Sequence, residues 1–191
     1  MEAKIIASYD EPALKTRVTL ESAPLYTKID SSLSLKTTGL FYTSLGDQIG
    51  VGSVPPVVGD YTSYWVIIKV TNTNNKINDF KVTAKVPNNI EFTNIYNVTD
   101  GDQIKFNEQT RILEWDLASV PAMAGIFNPG PEARIQLSIT PTADQLNKSP
   151  LILTNITATA KDAVTSAFLS ANGANVSTAI FDDPTMNKVI E

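Results

Sequence analysis

From Phe80 to Val86 the chain alternates: Phe80, Val82, Ala84 and Val86 are apolar, while Lys81, Thr83 and Lys85 between them are polar. A period of two places each set on its own face of an extended strand, so the stretch predicts a half-buried strand of an antiparallel sheet. The pattern returns at Ala133, Ile135, Leu137 and Ile139, set against Arg134, Gln136, Ser138 and Thr140. Tyr64, Val66, Ile68 and Val70 form a third set, and here Trp65 and Ile67 are apolar on the reverse side too. That predicts a central strand covered on both faces.

Further strands are expected at 33–43, 104–107, 111–117, 151–160 and 174–181, in stretches rich in Val, Ile and Thr. Between the strands lie turn clusters: Asn72 to Asp79, Pro87-Asn88-Asn89, Asp100-Gly101-Asp102, Asn128-Pro129-Gly130-Pro131 and Asn172-Gly173. Ala158 to Leu169 has a composition compatible with a helix but no 3.6 period, and it reads better as strand, turn, strand. Short strands at this spacing predict an all-β chain, an antiparallel Ig-like β-sandwich with an extended N-terminal segment. Its expected core includes Trp115, Val66, Ile68, Val82, Ile135 and Leu137. Residues 1–30 mix Lys, Glu, Thr and Pro with only a weak alternation at Val18 and Leu20. They are read as a lead-in, residues 31–184 as the sandwich, and 185–191 as a tail or linker. The lead-in either folds back along the edge of its own sheet or adds to a neighbouring copy.

Composition narrows the function. The 191 residues suffice for one core. A net charge of −5 does not suit a phosphate-backbone binder, so no nucleic-acid partner is expected. No apolar run reaches membrane-spanning length, so no membrane insertion by this segment is expected. No apolar stretch follows Met1-Glu2-Ala3-Lys4, so these residues do not read as a secretory signal. Cysteine and histidine are both absent, which excludes disulfides, thiolate nucleophiles and Ser-His arrangements.

The stretch Val70-Thr71-Asn72-Thr73, followed by Val86-Pro87-Asn88-Asn89-Ile90-Glu91-Phe92, resembles the repeat of bacterial surface proteins known as domain of unknown function eleven. Leu113-Glu114-Trp115-Asp116-Leu117, Ala124-Gly125 and Ile135-Gln136-Leu137-Ser138-Ile139-Thr140-Pro141 resemble its later strands. Gly52 to Gly59 and Ser177 to Pro184 are similar to segments of long repeat proteins from candidate-phylum bacteria. The likeness covers roughly residues 33–184 and departs from the family at Ala84, where an acidic residue is usual. It implies an Ig-like fold and an extracellular or cell-surface location. It specifies structure far better than function.

Candidate chemistry is sparse. Glu114 and Asp116 share a strand face near Arg111, an arrangement that reads as a solvated surface rather than a hydrolytic pair across a cleft. No cofactor is expected: the loop aspartates read first as turn formers. Calcium is the alternative, with Asp182 and Asp183 as ligands at a junction with a neighbouring domain and Asp47, Asp60 and Asp100-Gly101-Asp102 as further turn carboxylates. Trp65, Tyr61 and Tyr64 are candidates for stacking on a sugar ring. A Lys–Asn isopeptide bond needs a Lys on an early strand, an Asn on a late one and a buried carboxylate; Lys36, Asn175 and Glu114 are the set to test.

These features point away from an enzyme. The expected function is a structural module of a bacterial cell-surface repeat protein, acting as spacer, stalk or adhesion unit, with neighbouring repeats or subunits as partners. The alternatives are a carbohydrate- or protein-binding module, whose partner is a glycan or surface protein, and a strand-exchanging subunit of an extracellular filament.

Overall fold

The computed structural model describes residues 2–13, 15–180 and 188–191. The N-terminal segment pairs with itself. β1 (Glu2–Ala3), β2 (Ile6–Glu11), β3 (Thr16–Glu21) and β4 (Leu25–Tyr26) form a two-layer-free ribbon, with β1 on β4 and β2 on β3, all antiparallel. Val18 and Leu20, expected against a sheet edge of the sandwich, lie instead on this ribbon opposite Tyr9 and Ala7. The lead-in is therefore extended, as expected, but pairs with itself rather than with an edge of the sandwich.

The sandwich strands follow in chain order: β5 (Leu33–Leu40), β6 (Thr62–Asn72), β7 (Ile77–Lys85), β8 (Ile90–Val98), β9 (Lys105–Asn107), β10 (Ile112–Val120), β11 (Glu132–Ile139), β12 (Leu151–Asp162), β13 (Phe168–Asn172) and β14 (Val176–Ser177). One sheet has the order β5-β6-β11-β8, and the other β13-β12-β7-β10-β9 with β14 on β12. Lettered as an Ig domain, the first sheet is A-B-E-D and the second begins G-F-C. β10 and β9 extend the C edge. The chain is thus an antiparallel Ig-like β-sandwich, and among the described residues the one helical turn is a 3-10 turn at Ala143–Gln145.

The alternating apolar positions meet between the sheets. Val66, Ile68, Val82, Trp115, Ile135 and Leu137 are all buried. Register places Ile135 opposite Val66 and Trp115 opposite Val82. Trp115 packs edge-on to Phe80 at 6.1 Å, and its indole N–H donates to the Asp100 carbonyl at 3.0 Å. One flank of the sandwich closes by close approach: a Cβ on Gly39 would lie 2.7 Å from Val176 Cγ1, and one on Gly173 2.7 Å from Thr37 Cγ2. The other flank is filled by side chains. Phe92 of β8 stacks on Tyr96 and meets Phe106 of β9 at 5.3 Å, and the Arg111 guanidinium sits 5.2 Å from the Phe106 ring centre.

The two ends of the chain are fastened at opposite poles. Residues 188–191, expected as a tail, run between two loops. Ile190 N–H donates to Pro56 O, Val58 N–H to Ile190 O and Val189 N–H to Lys148 O, each at 2.9 Å, and Val189 is fully buried. The ribbon joins at the far pole, where β6 ends and β5 begins. There Asp162 is nearly inaccessible and gathers three segments. Its Oδ2 accepts from Ser31 N–H (2.8 Å) and Asn75 Nδ2 (2.9 Å), and its Oδ1 from Val164 N–H (2.8 Å) and Thr165 N–H (3.0 Å). Burial alone would raise the pKa of this carboxyl; the bonds from Asn75, Thr165, Ser31 and Val164 outweigh it and hold the group well below the ordinary carboxylate range. Asn75 Nδ2 also donates to Ile29 O at 2.6 Å, and Lys28 Nζ to Val164 O at 3.0 Å, which ties the ribbon's stem to the same place.

Candidate functional site

The outer face of the β5-β6-β11-β8 sheet carries a groove because β6 is apolar on both sides. Tyr64, Val66, Ile68 and Val70 point into the core; Trp65 and Ile67 point out and are half-buried. Register aligns Leu40 with Trp65 and Thr38 with Ile67 on β5, and Gln136 with Trp65 and Arg134 with Ile67 on β11. The β5–β6 loop folds over the side of Trp65: the indole N–H donates to Ile49 O at 3.0 Å, which fixes the ring. The result is a groove of about 620 Å³ lined by Leu40, Ile49, Trp65, Ile67, Asn97 and Arg134, with Thr43 and Ser44 at the loop side. Its floor is apolar and its rim carries hydroxyl, amide and guanidinium donors.

The charge beside it is organised. Glu132 bonds Lys69 at 3.1 Å and the Arg134 Nε at 2.5 Å. Burial pushes the Glu132 carboxyl up, but the bonds from Arg134 and Lys69 dominate and set it below its usual value. Lys36 stands opposite Lys69 on the same outer face, so Lys36, Lys69 and Arg134 gather around the single Glu132 carboxylate beside the groove.

The three stacking candidates do not form one platform. Trp65 lines the groove. Tyr64, its neighbour on the strand, faces the opposite way; it is fully buried against Phe41 at 5.8 Å and cannot meet a ligand. Burial pushes its phenol above the ordinary range, and its hydroxyl has no partner among the described residues. Tyr61 is 45% exposed and precedes the strand.

Lys36 and Asn175 are brought together, lining one shallow depression between β5 and β14, and both are exposed. Asn175 Oδ1 accepts from Asn155 N–H at 3.1 Å. Glu114 does not join them: it projects from the outer face of the opposite sheet, with both layers in between. There Lys81 bonds Glu114 at 3.2 Å and Asp116 at 3.4 Å, and Lys105 bonds Asp116 at 3.4 Å and Asp102 at 3.9 Å. The hydrogen bond to Glu114, then the charge of Asp116, raise the Lys81 pKa. Arg111 is not part of this network; its Nη2 donates to Pro87 O at 3.0 Å and to Ile90 O. Asp182 and Asp183 lie outside the described residues. Among the described residues no group of three or more acidic, His or Cys side chains converges.

No protein-family model matches the chain, so the likeness to domain of unknown function eleven rests on the quoted motifs alone. No curated protein matches it either. Solved structures give distant similarities. BcpA, the major pilin subunit of Bacillus cereus, is 9% identical with a TM-score of 0.44 and aligns over 85% of this chain and 49% of its own. The full-length major pilin SpaD of Corynebacterium diphtheriae is 10% identical with a TM-score of 0.44, over 75% of this chain and 34% of its own. A non-cellulosomal cohesin from the archaeon Archaeoglobus fulgidus is 10% identical with a TM-score of 0.43, over 84% and 92%. The chain spans less than half the length of these pilins. Similarities this distant carry no functional argument, and the fold assignment stands on strand order and core.

Proposed function

We propose that this chain is a non-enzymatic module of a bacterial cell-surface protein, acting as spacer, stalk or adhesion unit. The observation that carries the reading is the placement of its two ends at opposite poles, the C-terminal one held by main-chain bonds and the N-terminal one by the Asp162, Asn75 and Lys28 side chains. Tension applied between those ends pulls β5 lengthwise along β6, to which it is paired from Leu33–Asn72 through Leu40–Trp65. Bonds loaded lengthwise share the force, whereas bonds opened from one end fail in turn. A sandwich joined this way resists extension without a disulfide. The Trp65 groove favours a second reading, in which the module also binds a partner. An antibody raised against the chain tests the first: it labels intact cells if the module is displayed, and labelling confined to lysed cells overturns the proposal.

A further inference from the structure

We propose that the apolar face of the N-terminal ribbon docks into the Trp65 groove of a second copy of this chain, head to tail. This deepens the surface-module reading and rests on it, as the contact by which modules associate.

Register sets the ribbon's two faces. Ala7 with Leu20, Tyr9 with Val18 and Glu11 with Thr16 share one face. Ile5 continues that face, opposite Ser22, whose N–H donates to Ile5 O at 2.9 Å. The reverse face holds Ile6 with Glu21, Ser8 with Thr19 and Asp10 with Arg17. The first face is therefore apolar up to the tip and the second mostly polar. Ile5 is 73% exposed, Tyr9 51% and Leu20 59%. An isolated two-stranded ribbon is at best marginally stable in water, so an uncovered apolar face calls for a covering surface.

The groove matches that face in character and charge. Leu40, Ile49, Trp65 and Ile67 supply the apolar floor. Glu11 stands at the tip of the ribbon's apolar face, accepting from Ala13 N–H at 3.3 Å, and Arg134 lines the groove with Lys36, Lys69 and Glu132 beside it. The one Glu132 carboxylate is shared between Arg134 and Lys69, which leaves this cluster net positive. The groove lies over the first half of β6, whereas the ribbon leaves from the pole where β6 ends. A contact between two different surfaces is heterologous: with copies stacked in one direction it does not close after two and propagates, whereas an antiparallel pair exchanging ribbons would close as a dimer. The ribbon face is about 20 Å long and roughly 10 Å wide, from strand rise and spacing. It covers a few hundred Å² per partner, small for a specific interface, so association is concentration-dependent.

Sedimentation of the full chain across a concentration series to about 1 mM tests this. The expected result is an average mass that climbs past the dimer without a plateau. Leu20→Ser, Glu11→Arg and Arg134→Glu should each return it to monomer. An equimolar mixture of Glu11→Arg with Arg134→Glu should assemble again, because each cross-contact then pairs opposite charges. A monomer at every concentration overturns the proposal. So does a mass that levels off at the dimer, which would mean two antiparallel copies exchanging ribbons if Arg134→Glu abolishes it and ribbon pairing with ribbon if it does not, or a mixture that fails to recover. Melting curves check that the variants fold. Should Arg134→Glu disturb the sheet, Ser44→Arg, an exposed loop substitution on the groove side, replaces it: assembly that survives Ser44→Arg but not Leu20→Ser means ribbon pairing with ribbon and overturns the proposal. Failure here leaves the labelling of intact cells unaffected, so the two readings fail separately.

Discussion

Trp115 offers the sharpest test of the core. It is 2% exposed, sits opposite Val82, packs edge-on to Phe80 at 6.1 Å and donates its indole N–H to Asp100 O at 3.0 Å. Trp115→Ala removes the ring, leaves a cavity between the sheets and frees the Asp100 carbonyl. Aromatic-to-alanine changes in cores cost about 3–5 kcal/mol. Against a typical total of about 5–15 kcal/mol, that is a large fraction of the stability. For a chain of this length each kcal/mol moves the melting temperature by about 2–4 °C, so a fall of roughly 6–20 °C is expected. Trp115→Phe keeps the edge-on contact but loses the second ring and the hydrogen bond, at about 1–2 kcal/mol. Urea unfolding followed by circular dichroism measures both, and an unchanged slope shows that the two-state comparison holds. A Trp115→Ala protein that melts within a degree or two of the parent would falsify the placement.

The remaining predictions concern the poles and the entrance loop. The Asp162 carboxyl titrates lower in the folded than in the unfolded chain, so its contribution is fully present above the ordinary value of 3.8 and is lost as pH falls below it toward the folded value. Asp162→Asn should destabilise at pH 7 and flatten the dependence below pH 4, read from urea midpoints at several pH values; parallel curves for the two proteins would refute this. Gly52 has φ of +96° and a Cβ there would lie 2.1 Å from Tyr61 O, whereas Gly59 has φ of +84° with open space around it. Gly52→Ala should therefore cost clearly more than Gly59→Ala, for which strain alone costs about 1 kcal/mol; equal melting temperatures would count against it. Val189→Ala should cost about 1.5 kcal/mol, two buried methylene equivalents, and a thermal melt indifferent to it would return residues 188–191 to the status of a tail.

Much of the sandwich is legible because one face of each central strand is buried and the other is not. Phe80 to Val86 shows this directly; Tyr64 to Val70 and Ala133 to Ile139 show the buried inner face, although Trp65 and Ile67 are half-buried and Gln136 and Ser138 buried on the reverse side. Reading 158–169 as strand, turn, strand matches β12 ending at Asp162 and β13 starting at Phe168. β8 escapes the pattern. It is an edge strand with an irregularity between its partners Ile135 and Leu137 and a positive φ at Asn94, so its apolar residues lose their period. The ribbon escapes because its loop carries no Asn-Gly or Asp-Gly signal; Lys15 supplies the positive φ there. The Trp65 groove was half visible, since Trp65 and Ile67 mark a second apolar face, but Leu40, Ile49 and Arg134 reach it only through pairing. The Asp162 hub was hidden, for its partners Ser31 and Asn75 lie 131 and 87 residues away.

Opposite poles also set reach. β6 runs 11 residues nearly from one pole to the other, which at about 3.4 Å per residue is about 37 Å. A domain whose ends emerge side by side can be inserted into another protein while adding almost nothing to its span. On the proposed surface-module reading, this one would add about its full height each time it is repeated or joined. Copies placed end to end would project outward in proportion to their number, so distance from the cell could be adjusted by copy number alone, with no change in any single core.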